Sequence, residues 1–270
     1  MTDSLAGSSG NIRYEVDDER IGIITIDRPE KRNAMSYPVL RDFIATVADA
    51  GDDERSRVII VTGAGGAFCA GTDLSNLSDT PTDQRGTAAG DGGSRPRAAW
   101  PLMSCPKPVI AAVDGPAVGM GAEFVTQADV RIVTNRARIA WNFVHRGLVP
   151  DTGAGSWLLP RLIGVSQAVR LLYSGEFLSP DDALALGFAA QVVEPDDLLD
   201  AARTEARRYL VGSPLAIRRT KQLVYEGLER SIQEHLKVNV QVMQACFESE
   251  DHREGVASFL ERRPANFTGR

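Results

Sequence analysis

The sequence has no basic excess, no cysteine framework and no long apolar run, and each shortage argues against a class of function. Thirty Lys and Arg against 36 Asp and Glu leave a net charge of -6. That argues against general nucleic-acid binding, which needs a basic surface to displace counterions. A local basic cluster would still suffice for an anionic small ligand. The three cysteines, Cys69, Cys105 and Cys246, are odd in number and form no C-x-x-C pair. Neither a disulfide framework nor a zinc site is expected, and a reducing cytoplasm fits best. His145, His235 and His252 are scattered, so no metal centre is expected from them. The longest apolar pieces, such as Val58–Val61 and Val109–Val113, fall far short of a membrane span. Residues Met1 to Asn11 are small and polar, with no basic start, and read as a disordered lead-in rather than a secretory signal.

What is present is the composition of a globular protein: 270 residues, 43% hydrophobic and 24% charged. Ile12–Val16 and Ile21–Ile26 alternate apolar and polar residues across a short polar break, which predicts a hairpin. Leu40, Phe43, Ile44, Val47 and Ala48 recur at helical spacing and predict a helix over Tyr37–Asp49. Val58–Thr62, Val109–Val113, Val130–Val133 and Gln191–Val193 read as strands, and a helix is expected over Ala122–Ala128. Further helices are expected near Gly155–Ile163, Ser166–Tyr173 and Pro180–Leu186. This alternation is that of an α/β protein. From Pro195 onward the pattern is helical, with apolar stripes at Leu198, Leu199, Ala202, Ala206 and Leu210 and at Ile232, Leu236, Val240, Met243 and Phe247. The chain therefore divides into a lead-in over 1–11, an α/β core over 12–194 and a helical region over 195–270. That last region needs the main body or a neighbouring subunit to pack against.

Residues 78–97 carry glycines, prolines and polar residues with almost no large apolar side chain. They read as a long mobile loop inside the domain, of the kind that serves as a lid. Two other segments carry chemistry. V-T-G-A-G-G-A-F-C-A-G-T-D-L, from Val61 to Leu74, is a strand that ends in glycines and a bend exposing backbone N–H groups. D-G-P-A-V-G-M-G-A-E-F, from Asp114 to Phe124, places glycines at a helix start, where unpaired N–H groups and the positive end of the dipole point outward. Two such donors meeting at one carbonyl oxygen make an oxyanion hole. A dinucleotide loop at Gly63–Phe68 ranks lower, because Phe68 stands where a third glycine is needed.

These two segments resemble the signature segments of the crotonase (enoyl-CoA hydratase/isomerase) superfamily. R-P-E-K-R-N-A at Arg28–Ala34 and G-L-V-P-D-T-G-A-G-S-W-L-L-P-R-L-I-G at Gly147–Gly164 resemble its adenine/pantetheine loop and its substrate-pocket segment. Gly175–Val193 and Glu254–Phe267 extend the resemblance over nearly the whole chain. It implies a spiral of β-β-α repeats with a C-terminal helical region, assembled as a homotrimer or a dimer of trimers. It also implies an acyl-CoA substrate, with coenzyme A as part of that substrate and no separate cofactor.

Position by position, the resemblance gives the oxyanion N–H groups to Thr72 and Met120 and a catalytic carboxylate to Glu123. It places substrate contacts at Arg28, Lys31, Arg32, Ala34, Ala70, Gly71, Asp73, Leu74, Gly119 and Phe143. The second glutamate of the family's hydratases would fall at Phe143, which cannot transfer a proton. Asp151 stands where some isomerases and a dehalogenase of the family place a catalytic aspartate. Read without the resemblance, Glu123 is a first-turn acid that complements a helix dipole, and Asp151 is a turn residue after Pro150. The expected reaction is hydration of a 2-enoyl-CoA or migration of its double bond. Isomerisation of an aromatic, epoxyphenylacetyl-type acyl-CoA, and hydrolysis or decarboxylation on the same fold, remain alternatives.

Overall fold

The computed structural model describes Leu5–Ala6 and residues 10–73 and 100–270. Leu74 and the 78–97 segment lie outside the described residues. Strands β1 (Leu5–Ala6), β2 (Ile12–Val16), β3 (Ile21–Ile26), β4 (Val58–Gly63), β5 (Val109–Val113), β7 (Val130–Thr134) and β9 (Gln191–Val193) form one sheet in that order. Strands β1 to β3 pair antiparallel, and β3 onward is parallel. Leu5 and Ala6, inside the segment read as a disordered lead-in, thus pair with Tyr14 and Arg13. Two short strands, β6 (Pro116–Val118) and β8 (Arg138–Ala140), were not legible and form a second sheet of their own. Each is three residues long with a single β-branched residue, in Pro-Ala-Val and Arg-Ile-Ala, where the equally short Gln191–Val193 carries two.

The central parallel strands β4 and β5 are buried on both faces, so they are almost continuously apolar. Their alternation sorts them into two cores. Ile59, Val61, Val109, Ala111, Val113 and Val133 face helix α1 (Tyr37–Asp52), which places Val39, Leu40, Phe43 and Val47 against them. Val58, Ile60, Ile110, Ala112 and Ile132 face the opposite way. The sequence pattern of strand, short strand and helix repeats as β5, β6 and α3 (Met120–Gln127), and this turn of chain delivers the start of α3 to the carboxyl ends of β4 and β5. Beyond α2 (Pro101–Ser104) and α3, the pocket side carries α4 (Ala154–Trp157), α5 (Leu159–Ile163), α6 (Val165–Ser174) and α7 (Pro180–Ala185). The single helix expected near Gly155–Ile163 is two, parting at Leu158, because Pro160 brings no backbone N–H to a continuing helix.

Four helices follow: α8 (Leu198–Leu210), α9 (Pro214–Gly227), α10 (Ile232–Phe247) and α11 (Glu250–Glu261). Leu198, Ala202 and Ala206 of α8 close the second core, whereas Leu199 faces outward at 39% exposure. Helix α9 is pinned to the body by Lys221 Nζ and Tyr225 Oη, which bond the two carboxylate oxygens of Asp129, each at 2.7 Å. The stripe on α10 is left largely uncovered by the described residues: Ile232, Leu236, Val240, Met243 and Phe247 are 50–67% exposed, and Phe247 meets the His252 ring edge-on at 5.0 Å between centres. Among the described residues, no helix is long and apolar enough to cross a membrane.

Candidate active site

The site forms where three loops meet beyond the strand ends. Asn33 fixes the first of them. It is fully buried, its amide Nδ2 donates to Ala64 O (2.9 Å) and Ala67 O (2.6 Å), and its Oδ1 accepts from Arg28 N (2.8 Å). It therefore ties the 28–34 loop to the loop after β4. Sequence reading overlooked Asn33; its left-handed φ of 59°, a region that favours short polar side chains, belongs with a loop anchor.

The next loop runs from Gly63 to Asp73. Met35 N–H donates to Gly71 O and Asp73 N–H donates to Met35 O, both at 2.8 Å. That parallel bridge turns the N–H of Thr72 away from Met35. Gly71, with φ of 95°, lets this loop touch the start of α3: a Cβ there would sit 2.7 Å from Val118 O and 3.8 Å from Met120 N. Gly121 permits the same closeness one residue past Met120, where a Cβ would lie 2.2 Å from Cys69 O. Met120 is the first residue of α3, after Gly119 at φ of 55°, so its N–H has no acceptor within the helix. The backbone at Gly71, next to Thr72, thus lies against the start of α3 at Met120.

Glu123 lies one turn into α3 and is fully buried. Its Oε2 accepts from the Thr152 hydroxyl at 2.6 Å and its Oε1 from Gly155 N at 2.8 Å. Burial pushes its carboxyl up to about 7; the Thr152 and Gly155 donors oppose this, and the nearby charge of Asp151 adds to it. Asp151 is half-buried, and its Oδ1 is shielded from solvent with no hydrogen-bond partner among the described residues. Burial raises it to about 6 against the pull of backbone amides. Two interacting carboxyls in one desolvated place hold a proton near neutral pH. Thr152, Gln127 and Gly155, which complete this arrangement, were not singled out in the sequence. Only a hydroxyl next to a candidate acid hinted at the first.

Phe143 is buried, its ring about van der Waals distance from Gly119: a Cβ on that glycine would lie 3.9 Å from the ring edge. No proton-transferring group therefore faces Glu123 from that position. Cys69 is enclosed, and burial pushes its thiol up to about 12, so it is no nucleophile. His145 bonds Ser174 O at 2.8 Å and anchors a loop.

The basic loop differs from its expected role in one respect. Arg28 donates to Ala34 O at 2.6 Å and to Asp73 Oδ2 at 3.2 Å, so two residues expected to contact substrate satisfy each other. Lys31 and Arg32 remain exposed and make no ion pair among the described residues. Ala70 N–H is bonded to Arg32 O at 3.0 Å. Among the described residues no three His, Cys, Asp or Glu side chains cluster as a metal site would require.

The sequence pattern of enoyl-CoA hydratase/isomerase proteins matches residues 17–270. A crotonyl-CoA hydratase of Syntrophomonas wolfei is 32% identical over 252 residues, which cover 93% of this chain and 95% of that one. A 1,2-epoxyphenylacetyl-CoA isomerase of Escherichia coli is 34% identical, covering 92% and 94%. The crystal structure of an enoyl-CoA hydratase from Bacillus anthracis superposes with a TM-score of 0.87 at 28% identity, covering 96% of this chain and all of that one. The mixed sheet with its helical C-terminal region is thus the crotonase fold. With a match that runs from residue 17 to the last residue and relatives aligned over nearly their full length, this chain belongs to the enoyl-CoA hydratase/isomerase family.

Proposed function

We propose that the protein shifts the double bond of an enoyl-CoA thioester by moving protons between Asp151, the acyl chain and Glu123. The observation that carries this reading is the shielded Oδ1 of Asp151, without a hydrogen-bond partner among the described residues, beside a Glu123 whose two oxygens are both taken by donors. The thioester oxygen sits between the Thr72 and Met120 N–H groups, which stabilise the negative charge that grows on it; one such donor contributes about 2.7–4 kcal/mol. The Asp151 carboxylate removes a proton from C2 of a 3-enoyl thioester, and the electron pair delocalises onto the thioester oxygen. Glu123, protonated just below its raised pKa, returns a proton at C4, and the enolate collapses to the conjugated 2-enoyl thioester. Proton transfer between the two carboxyls restores the starting state. Matching each group to near-neutral pH is what proton transfer of this kind requires.

Hydration is the second reading, favoured by the hydratase names of relatives such as the Syntrophomonas protein. It needs two groups aimed at one water, and Phe143 removes one of the expected pair. Coenzyme A enters as part of the substrate, with Lys31 and Arg32 facing its phosphates, and no separate cofactor is invoked. The exposed α10 stripe supports assembly as a homotrimer or a dimer of trimers, and three free cysteines suit a reducing cytoplasm.

The test is product formation from crotonyl-CoA and, in parallel, from a 3-enoyl-CoA. Gain of conjugated thioester absorbance from the 3-enoyl substrate, with crotonyl-CoA untouched, is the expected outcome. Loss of that absorbance from crotonyl-CoA would make the enzyme a hydratase. Full turnover by both Glu123→Gln and Asp151→Asn would sink the carboxylate mechanism.

A further inference from the structure

The loop that carries Asp151 also places a hydroxyl against Glu123, and the bonding of that hydroxyl leaves it little freedom. A threonine hydroxyl has one proton to donate and two acceptor directions. At Thr152 the acceptor directions face Ala154 N at 3.3 Å and Gln127 Nε2 at 3.4 Å, both long, and both groups are donors. The proton is left for Glu123 Oε2 at 2.6 Å. Gln127 lies four residues after Glu123 on α3, so the two side chains share a helix face and bracket the hydroxyl. The Thr152 carbonyl is itself held, by Trp100 Nε1 at 2.6 Å, and Trp100 packs on Trp157 at 5.1 Å between ring centres.

We propose that Thr152 is a positioning residue of the proton-transfer site, whose hydroxyl, directed by Ala154 and Gln127, holds the Glu123 carboxyl in the orientation it needs to face the acyl chain. The assignment rests on the two-carboxylate reading above. A donor of this kind favours the charged carboxylate and so opposes the effect of burial on Glu123. Turning Glu123 into a donor toward Thr152 requires the hydroxyl proton to leave, and both neighbouring positions already present N–H groups. Because Asp151 and Thr152 are consecutive, one short stretch of backbone sets both carboxyls.

The experiment compares Thr152→Val, which is isosteric and lacks the hydroxyl, with Thr152→Ser, which retains it; Thr152→Ala serves if the valine variant does not fold. The carboxyl titration of Glu123 is followed by carbon-13 NMR of protein labelled at the glutamate side-chain carboxyl, with the resonance assigned by its loss in Glu123→Gln. Expected are a Glu123 titration moved to higher pH in the valine or alanine variant and a kcat lowered about tenfold or more, as loss of one hydrogen bond to a charged group produces. The KM should change little, the pH limb that belongs to Glu123 should move in the same direction, and Thr152→Ser should restore all three. A titration and pH profile in the valine or alanine variant that superimpose on those of the unaltered protein overturn the proposal. The titration needs no substrate, so it decides the role of Thr152 even if Glu123→Gln proves fully active and the reading of the reaction falls.

Discussion

Gly155 donates its backbone N–H to Glu123 Oε1 at 2.8 Å, and a Cβ at position 155 would lie 2.4 Å from that same oxygen and 2.9 Å from the Trp141 ring. The bond exists because the residue has no side chain. Gly155→Ala should therefore displace the carboxylate rather than merely crowd it. We expect kcat/KM to fall about 10²-fold, the cost of a misplacement near 1 Å, with overpacking of about 1–3 kcal/mol seen as a lower denaturation midpoint. Steady-state kinetics and urea unfolding of the variant check both.

Stability should depend on pH through Glu123. Its folded pKa is about 7, above the ordinary carboxyl value of 4.5, so the folded state binds the extra proton. The contribution is fully present below the unfolded pKa and is lost as pH rises from about 4.5 through about 7. The raised Asp151 adds a loss of the same sign that ends near pH 6. Glu123→Gln cannot ionise, so its urea midpoint should gain on that of the unaltered protein between pH 5 and pH 8. Parallel midpoints across that range would refute the buried, proton-holding Glu123.

Met120 is the first residue of its helix, a position where proline fits with little strain because the N–H has no helical acceptor. Met120→Pro deletes one of the two amides proposed to hold the thioester oxygen, together with a methionine side chain buried in the core. The expected result is a kcat reduced about 10²–10³-fold; Met120→Ala, which loses the same core side chain and keeps the amide, should match its lower thermal midpoint but keep most of the kcat. Retained kcat would remove Met120 from the oxyanion role.

Lys31 and Arg32 are free to meet phosphate, whereas Arg28 is spent on Asp73 and Ala34. Lys31→Ala with Arg32→Ala should weaken acyl-CoA binding, more at low salt than at high, without loss of stability. Arg28→Ala should instead lower the melting temperature, since it removes the ion pair to the half-buried Asp73 carboxylate and the donor to Ala34 O. Isothermal titration and calorimetry separate the two patterns.

The α10 stripe predicts association. Leu236→Asp with Val240→Asp should shift light scattering toward a smaller species if a second copy covers this face. An unaltered protein already monomeric at micromolar concentration would overturn the homo-oligomer.

Much of the architecture was legible in the residues because parallel strands buried on both faces must be apolar and short, and Val58–Gly63 and Val109–Val113 fall where that rule puts them. The glycine runs at 63–71 and 115–121 likewise announced a close approach of backbones, since no other residue adopts Gly71 and Gly119 geometry without strain. Strands β6 and β8 were missed because three residues with a single β-branched side chain give no strand signal of their own. Leu199 was assigned to a buried stripe because helical spacing gives an angle, and only packing says how wide the buried arc is.

The sequence by itself determined the alternation of elements, the glycine-bent loops and the presence of Glu123 and Asp151. Those are local properties, set by side-chain period, backbone freedom and residue type. Only the tertiary structure decided that the Thr152 hydroxyl reaches Glu123 across 29 residues, that Arg28 spends its charge on Asp73 across 45, and that the buried Phe143 ring packs against Gly119. Each of these depends on which surfaces the fold presses together and shields from water. That shielding is what raises the two carboxyls toward neutral pH, and no spacing in the chain encodes it.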